Sequence, residues 1–138
     1  MKTKKQKKAG FTLVELMVVA IIVAILAAVA IPLMTGNKDR AMATEGQAGC
    51  TTIATQIRMY WAEHGTPPTA GLGTTLPGIN AGDLNGTYFN DGSYSFTSTA
   101  KDAYTITATG KAGGDAAGKT VIMTVTGGNT AWSGTLIP

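Results

Sequence analysis

Residues Phe11 to Met34 form an apolar run of 24 positions interrupted by a single ionisable side chain, Glu15. As an α-helix rising 1.5 Å per residue, such a run extends about 36 Å, more than the roughly 30 Å hydrocarbon thickness of a bilayer. It can span a membrane, and that possibility limits the rest of the chain more than any other feature. The carboxylate inside it is expensive, because a charge at the bilayer centre costs about 2.5 to 3.5 kcal/mol on insertion scales. An acid in this place is therefore a functional-site candidate whose cationic partner has to be found.

Lys2, Lys4, Lys5, Lys7 and Lys8 precede the run, five of the eleven basic residues of the 138-residue chain. The positive-inside rule puts this tract in the cytoplasm and everything after Met34 outside, which predicts a single-pass, N-in, C-out precursor held in membrane lipid. From Phe11 onward six basic side chains face eight acidic ones, so the formal net charge of +3 is a local tract and not a property of the body. Bulk electrostatic binding of nucleic acid finds no support. A cleaved secretory signal shares the basic-then-apolar order. The stretch is long for one, however, and its nearest small-x-small site, Ala28-Val29-Ala30, runs into Ile31-Pro32 and not into a polar mature start.

The string Gly10-Phe11-Thr12-Leu13-Val14-Glu15-Leu16-Met17, after a lysine-rich leader and before Ala30-Ile31-Pro32, resembles the class III signal of type IV prepilins and type II secretion pseudopilins. The resemblance covers the first quarter of the chain; the remainder is similar only in architecture. It implies an α+β, type IV pilin-like fold, with a long N-terminal helix packed on a small antiparallel sheet of three to four strands. It also implies a membrane prepilin peptidase that cuts between Gly10 and Phe11 and N-methylates the new Phe11 amine. An inner-membrane assembly platform and a homo-oligomeric helical filament are the further partners it implies. In such filaments the acid equivalent to Glu15 meets the amine of a neighbouring subunit. The physics agrees: an unpaired carboxylate among apolar helices is costly and a paired one is tolerable, so subunits docked in register lose a penalty that misdocked ones keep. Methylation leaves the amine protonatable. Glu15 near the helix start is also favoured by the helix dipole, and both effects can hold together.

Four segments follow from this reading: a leader at 1–10, a membrane or filament-core helix at 11–34, an amphipathic helical half at 35–64 and a β-rich head at 65–138. Pro32 removes a backbone donor and predicts a kink more than an end, with Gly36 adding flexibility. Gly46, Gly49, Cys50, Ile53, Ile57, Tyr60 and His64 recur at helical spacing and predict one face packed on a sheet, the glycines allowing another backbone to come close. Gly65 with Pro67 and Pro68 is a stop signal. Residues 65–86 predict a connection without periodicity. From Thr87 onward, alternating patterns at Tyr94 and Phe96, at Tyr104, Ile106 and Ala108, at Val121, Met123 and Val125, and at Trp132 and Leu136 predict antiparallel strands. The intervening threonines suit solvent, and Gly110 to Gly118 looks like a linker.

Catalytic constellations are weak. Cys50 and His64, the one thiol and the one imidazole, stand about 21 Å apart along a helix, too far for a nucleophile and base pair. His64 fits a terminal histidine and Cys50 a small buried hydrophobe. An unpaired cysteine leaves the C-terminal end to be held by strand pairing alone. Asp83, Asn85, Asn90 and Asp91 offer oxygen ligands, and some pseudopilins bind calcium in a head loop, but turns use the same residues and no metal or other cofactor is assigned. Three functions remain: a major-pilin-like structural subunit of an extracellular type IV pilus, which is the leading reading; a pseudopilin of a periplasmic type II secretion filament, with similar assembly; and a membrane-anchored periplasmic enzyme or binding domain. The last would need a convergent cluster of titratable groups in the head, and the sequence offers only scattered ones.

Overall fold

The computed structural model describes residues 10–69, 76 and 78–137. The lysine leader before Gly10, and 70–75 and 77 of the expected connection, lie outside the described residues. The chain divides into two compact units, Met1–Asn37 and Lys38–Pro138, and helix α1, Leu13–His64, contributes to both.

In the first unit α1 is apolar on all sides, and its large side chains are uncovered, from 49% exposed at Val18 to 87% at Leu13. A helix hydrophobic all round needs an apolar environment, which the described residues do not supply. By length and composition α1 is able to cross a membrane. The helix continues through Pro32, so the proline does not end it. Close by, the Thr35 hydroxyl donates to the Ile31 carbonyl at 3.1 Å, a back-bond of the kind that bends helices.

In the second unit the same helix becomes one-sided. Met42, Gly46, Gly49, Cys50, Ile53, Ala54 and Ile57 are buried. Met42 and Ala54 extend the expected stripe, whereas Tyr60 is only half-buried and His64 is exposed at the helix end. The helix stops at Gly65, whose φ of +68° suits glycine and whose N–H donates to Trp61 O at 2.9 Å. The opposite face carries Thr44, Thr51, Thr52 and Thr55, each hydroxyl returned to the carbonyl four residues back.

Four antiparallel strands, β1 (Tyr94–Ala100), β2 (Ala103–Thr109), β3 (Thr120–Thr126) and β4 (Asn129–Ser133), form a meander in the order β1-β2-β3-β4. The fold is α+β, as expected. Alternation places Tyr94, Phe96, Tyr104, Ile106, Ala108, Val121, Met123 and Val125 on the buried side. Gly127 and Gly128, both with positive φ, make the two-residue turn into β4, where only glycine is unstrained at both places.

Several local expectations change. The sheet starts at Tyr94 and not at Thr87, and Leu136 is buried in a turn beyond β4. Gly46 and Gly49 admit side chains, not a backbone: a Cβ at 46 would fall 2.9 Å from Val121 Cγ2, and one at 49 would overlap the Tyr94 ring. The described part of the connection is tied in by buried Leu76, Ile79 and Leu84. Gly110 to Gly118 is no linker, since Gly110 bridges to Ala117 and Ala116 is fully buried. Strand pairing does not hold the C-terminal end alone; Thr120 and Thr135 exchange two hydrogen bonds, at 2.7 and 3.2 Å.

Candidate functional site

The helix start brings together three of the residues singled out in the sequence. Gly10 and Phe11 are exposed and lie outside the helix, ahead of its first turn. Glu15, the third helical residue, turns back on that start. Its Oε2 accepts from the Thr12 N–H and from the Thr12 hydroxyl, both at 2.9 Å, while its own N–H donates to Thr12 Oγ1 at 3.2 Å. This reciprocal capping box satisfies donors that a helix N-terminus leaves unpaired.

Glu15 therefore has a partner within its own chain. Thr12 is the residue the sequence reading missed, although the Thr-x-x-Glu spacing ahead of an apolar run is its recognised signal. The arrangement holds the carboxylate one residue from Phe11, and Oε1 is without a hydrogen bond among the described residues. One oxygen thus fixes the helix start. Pro32 stands apart from this cluster, inside the helix.

The second unit is secured by polar groups the sequence did not reveal. Glu45, on the helix, accepts from three successive backbone amides: Thr87 at 3.2 Å, Tyr88 at 2.7 Å and Phe89 at 2.9 Å. It anchors the segment entering the sheet and holds Phe89 in the core. Two ion pairs fasten the 110–119 loop to the helix, Lys38 with Asp115 and Lys119 with Asp39, the latter at 2.5 Å. The hydrogen bond and charge of Lys38 lower the Asp115 carboxyl below its usual range, and Asp115 raises Lys38 in return.

Among the described residues of the second unit, the thiol and the imidazole are not placed for reaction. Cys50 is fully buried, and desolvation pushes its thiol up to about 12, which keeps it protonated and inert. His64 stacks on Tyr60 with ring centroids 4.1 Å apart and places Nδ1 3.1 Å from the Tyr60 carbonyl. The oxygens of the 83–91 loop are used within it. Asp91 accepts from the Gly82 and Leu84 amides at 2.6 and 3.1 Å, and Asp83 from the Asn80 amide at 2.8 Å. Among the described residues no group of three or more His, Cys, Asp or Glu side chains is placed to hold a metal ion.

Comparison with known proteins bears on the helix start and on the chain more widely. A family profile described as the prokaryotic N-terminal methylation motif matches residues 5–31, a span that includes Gly10, Phe11 and Glu15. The chain is 41% identical over 73 residues to competence protein ComGC of Halalkalibacterium halodurans, covering 50% of this chain and 68% of that protein. It is 34% identical over 74 residues to type II secretion system core protein G of Dickeya chrysanthemi, covering 52% and 48%. To the protein of the same name from Vibrio cholerae it is 34% identical over 70 residues, covering 51% and 48%. The chain spans about half the length of these secretion-system relatives.

Proposed function

This chain belongs to the family of type IV pilins and type II secretion pseudopilins, and from that premise we propose that it is a pseudopilin, a repeated structural subunit of a type II secretion filament. The observation that carries this choice is the recurrent similarity to proteins named type II secretion system core protein G. The type IV pilus, the leading reading of the sequence, becomes the second reading. The 41% identity to a competence protein, with wider coverage of that relative, keeps a filament outside secretion in play.

In the proposed mechanism the leader at 1–10 holds the precursor N-in, C-out in the inner membrane. A prepilin peptidase hydrolyses the Gly10–Phe11 peptide bond, and the freed Phe11 amine is methylated and stays cationic. Residues 11–34 remain as a membrane segment and pass, at an assembly platform, into a bundle of identical helices. The exposed apolar side chains supply cohesion at roughly 25 cal/mol per Å² buried. Register comes from Glu15, whose carboxylate accepts the Phe11 amine of the adjacent subunit. Pro32 bends the helix at the end of the packed segment, 35–64 carries the head, and 65–138 forms the filament surface.

The test is deletion of the coding sequence in its host, followed by assay of exported proteins and of surface filaments. The pseudopilin reading predicts exoproteins trapped in the cell, restored by the wild-type chain. Intact export with loss of long extracellular filaments would establish the pilus instead.

A further inference from the structure

Asn85-Gly86 is the one Asn-Gly pair of the chain, exposed between buried Leu84 and the amides held by Glu45. The pair is reactive by composition. A glycine carries no Cβ to shield its backbone nitrogen or to restrict the chain, so the Gly86 nitrogen is able to reach the side-chain carbonyl carbon of Asn85. The fold needs both residues all the same. A Cβ at 86 would overlap the Glu45 carboxylate, which collects the Thr87, Tyr88 and Phe89 amides, and Asn85 Oδ1 accepts the Asp91 N–H at 3.1 Å. The closed loop also occupies the groups that a reaction would use. The Gly86 N–H donates to Phe89 O at 2.9 Å and the Asn85 N–H to Gly82 O at 3.1 Å, while Lys111 Nζ donates to the Gly86 carbonyl at 3.1 Å.

We propose that Asn85 is a spontaneous modification site, locked while the 83–91 loop is closed and converted one way to aspartate and isoaspartate when the loop opens. In the open loop a solvent base takes the Gly86 N–H proton, the nitrogen adds to Asn85 Cγ, and the Cγ–Nδ2 bond breaks with release of ammonia. Water then opens the cyclic imide. Attack at Cγ gives aspartate, and attack at the backbone carbonyl gives isoaspartate; water and base are the co-reactants and nothing is oxidised. The hydrogen bond from the Gly86 N–H to Phe89 O opposes the first step, because the nitrogen must give up both that proton and that partner. Conversion in the folded head therefore proceeds through local opening, at the rate of the open chain multiplied by the fraction of time the loop is open. The change is not reversed on closing. Isoaspartate adds one carbon to the main chain ahead of Gly86, which moves the following amides out of register with Phe89 O and Glu45. Either product also adds a negative charge to a loop that already holds Asp83 and Asp91 and abuts Glu45, where like charges repel. The site is independent of which filament the chain builds.

The experiment incubates the full chain in detergent at mildly alkaline pH, beside a sample whose head is unfolded in guanidinium chloride. Conversion of Asn85 is followed by peptide mass spectrometry, with fragmentation that separates isoaspartate from aspartate. Folded wild type should convert at least about tenfold more slowly than the unfolded chain, equivalent to about 1.4 kcal/mol or more of closure. Glu45→Ala should speed conversion in the folded head about tenfold, while hydrogen exchange of the β2 and β3 amides stays at the wild-type rate and shows that the head remains folded. Where Glu45→Ala loses that protection, Lys111→Ala decides, since it removes a single bond at the surface and should still speed conversion about threefold. Equal rates in folded and unfolded wild type, no conversion in either, or wild-type rates in the folded variants overturn the proposal. Wild-type protection of the Thr87 to Phe89 amides in the purified isoaspartyl protein would equally overturn it.

Discussion

One helix serves two regions that obey opposite rules. Before Lys38 its apolar side chains point in every direction and none is covered; after it, a stripe of small and apolar residues is buried while threonines face outward. The second region closes its core with its own sheet. The first has no such cover among the described residues, and by length and composition it is able to cross a membrane. The difference shows that continuity of secondary structure does not imply continuity of environment: periodicity of burial, not helicity, marks where the folded head begins.

The strongest way to break the contrast is to empty the head's core while leaving the first region alone. Phe89 is fully buried against the helix glycine Gly46. Phe89→Ala should destabilise the head by about 3 to 5 kcal/mol. In detergent this would appear as an early loss of near-ultraviolet dichroism while the helical signal of the first region persists. Simultaneous loss of both signals would mean that the regions are not independent. Glu45→Ala is the milder version. It strips three amides of their acceptor, and because water can reach part of that site a loss of about 2 kcal/mol is expected, with hydrogen exchange rising first at Thr87 to Phe89.

The ion pairs between the helix and the 110–119 loop should have the smallest effect, since water reaches both partners of each. Asp115 titrates below its unfolded value, so its contribution is present above the ordinary carboxylate range and is lost as pH falls through the lowered folded value. Lys38 is raised, so its contribution persists below the ordinary lysine range and disappears only as pH rises through the raised value. Protection of the Gly110 and Lys119 amides, corrected for intrinsic exchange, should fall modestly below about pH 4. Lys38→Met should remove that acid sensitivity, and a variant that keeps it would dissociate the loop's closure from this pair.

Much of the architecture was legible because it is written in local patterns. The long apolar run, the stripe through Ile53 and Ile57, the Gly65 stop and the alternation from Tyr94 to Val125 are each local signals and appear where expected. What escaped was non-local or compact. Glu45 meets its amides more than forty residues away, a distance no spacing rule covers. The 110–119 loop looked like a linker because its glycines hide the ion pairs and the buried Ala116 that fasten it. Thr12 is the opposite case: its capping spacing was visible, but attention to the charge of Glu15 obscured the simpler bond three residues away.

The central claim is that Glu15 is an assembly device, with one oxygen fixing the helix start and the other reserved for the Phe11 amine of a neighbour. The most direct measurement is made on Glu15→Ala and Glu15→Gln precursors in the assembling host, with mass spectrometry of the N-terminus and quantification of sheared or periplasmic filaments from the same cells. The predicted result is a mature N-terminus at Phe11 in both variants together with a severe loss of filaments. Wild-type filament yield from correctly processed Glu15→Ala subunits would contradict it.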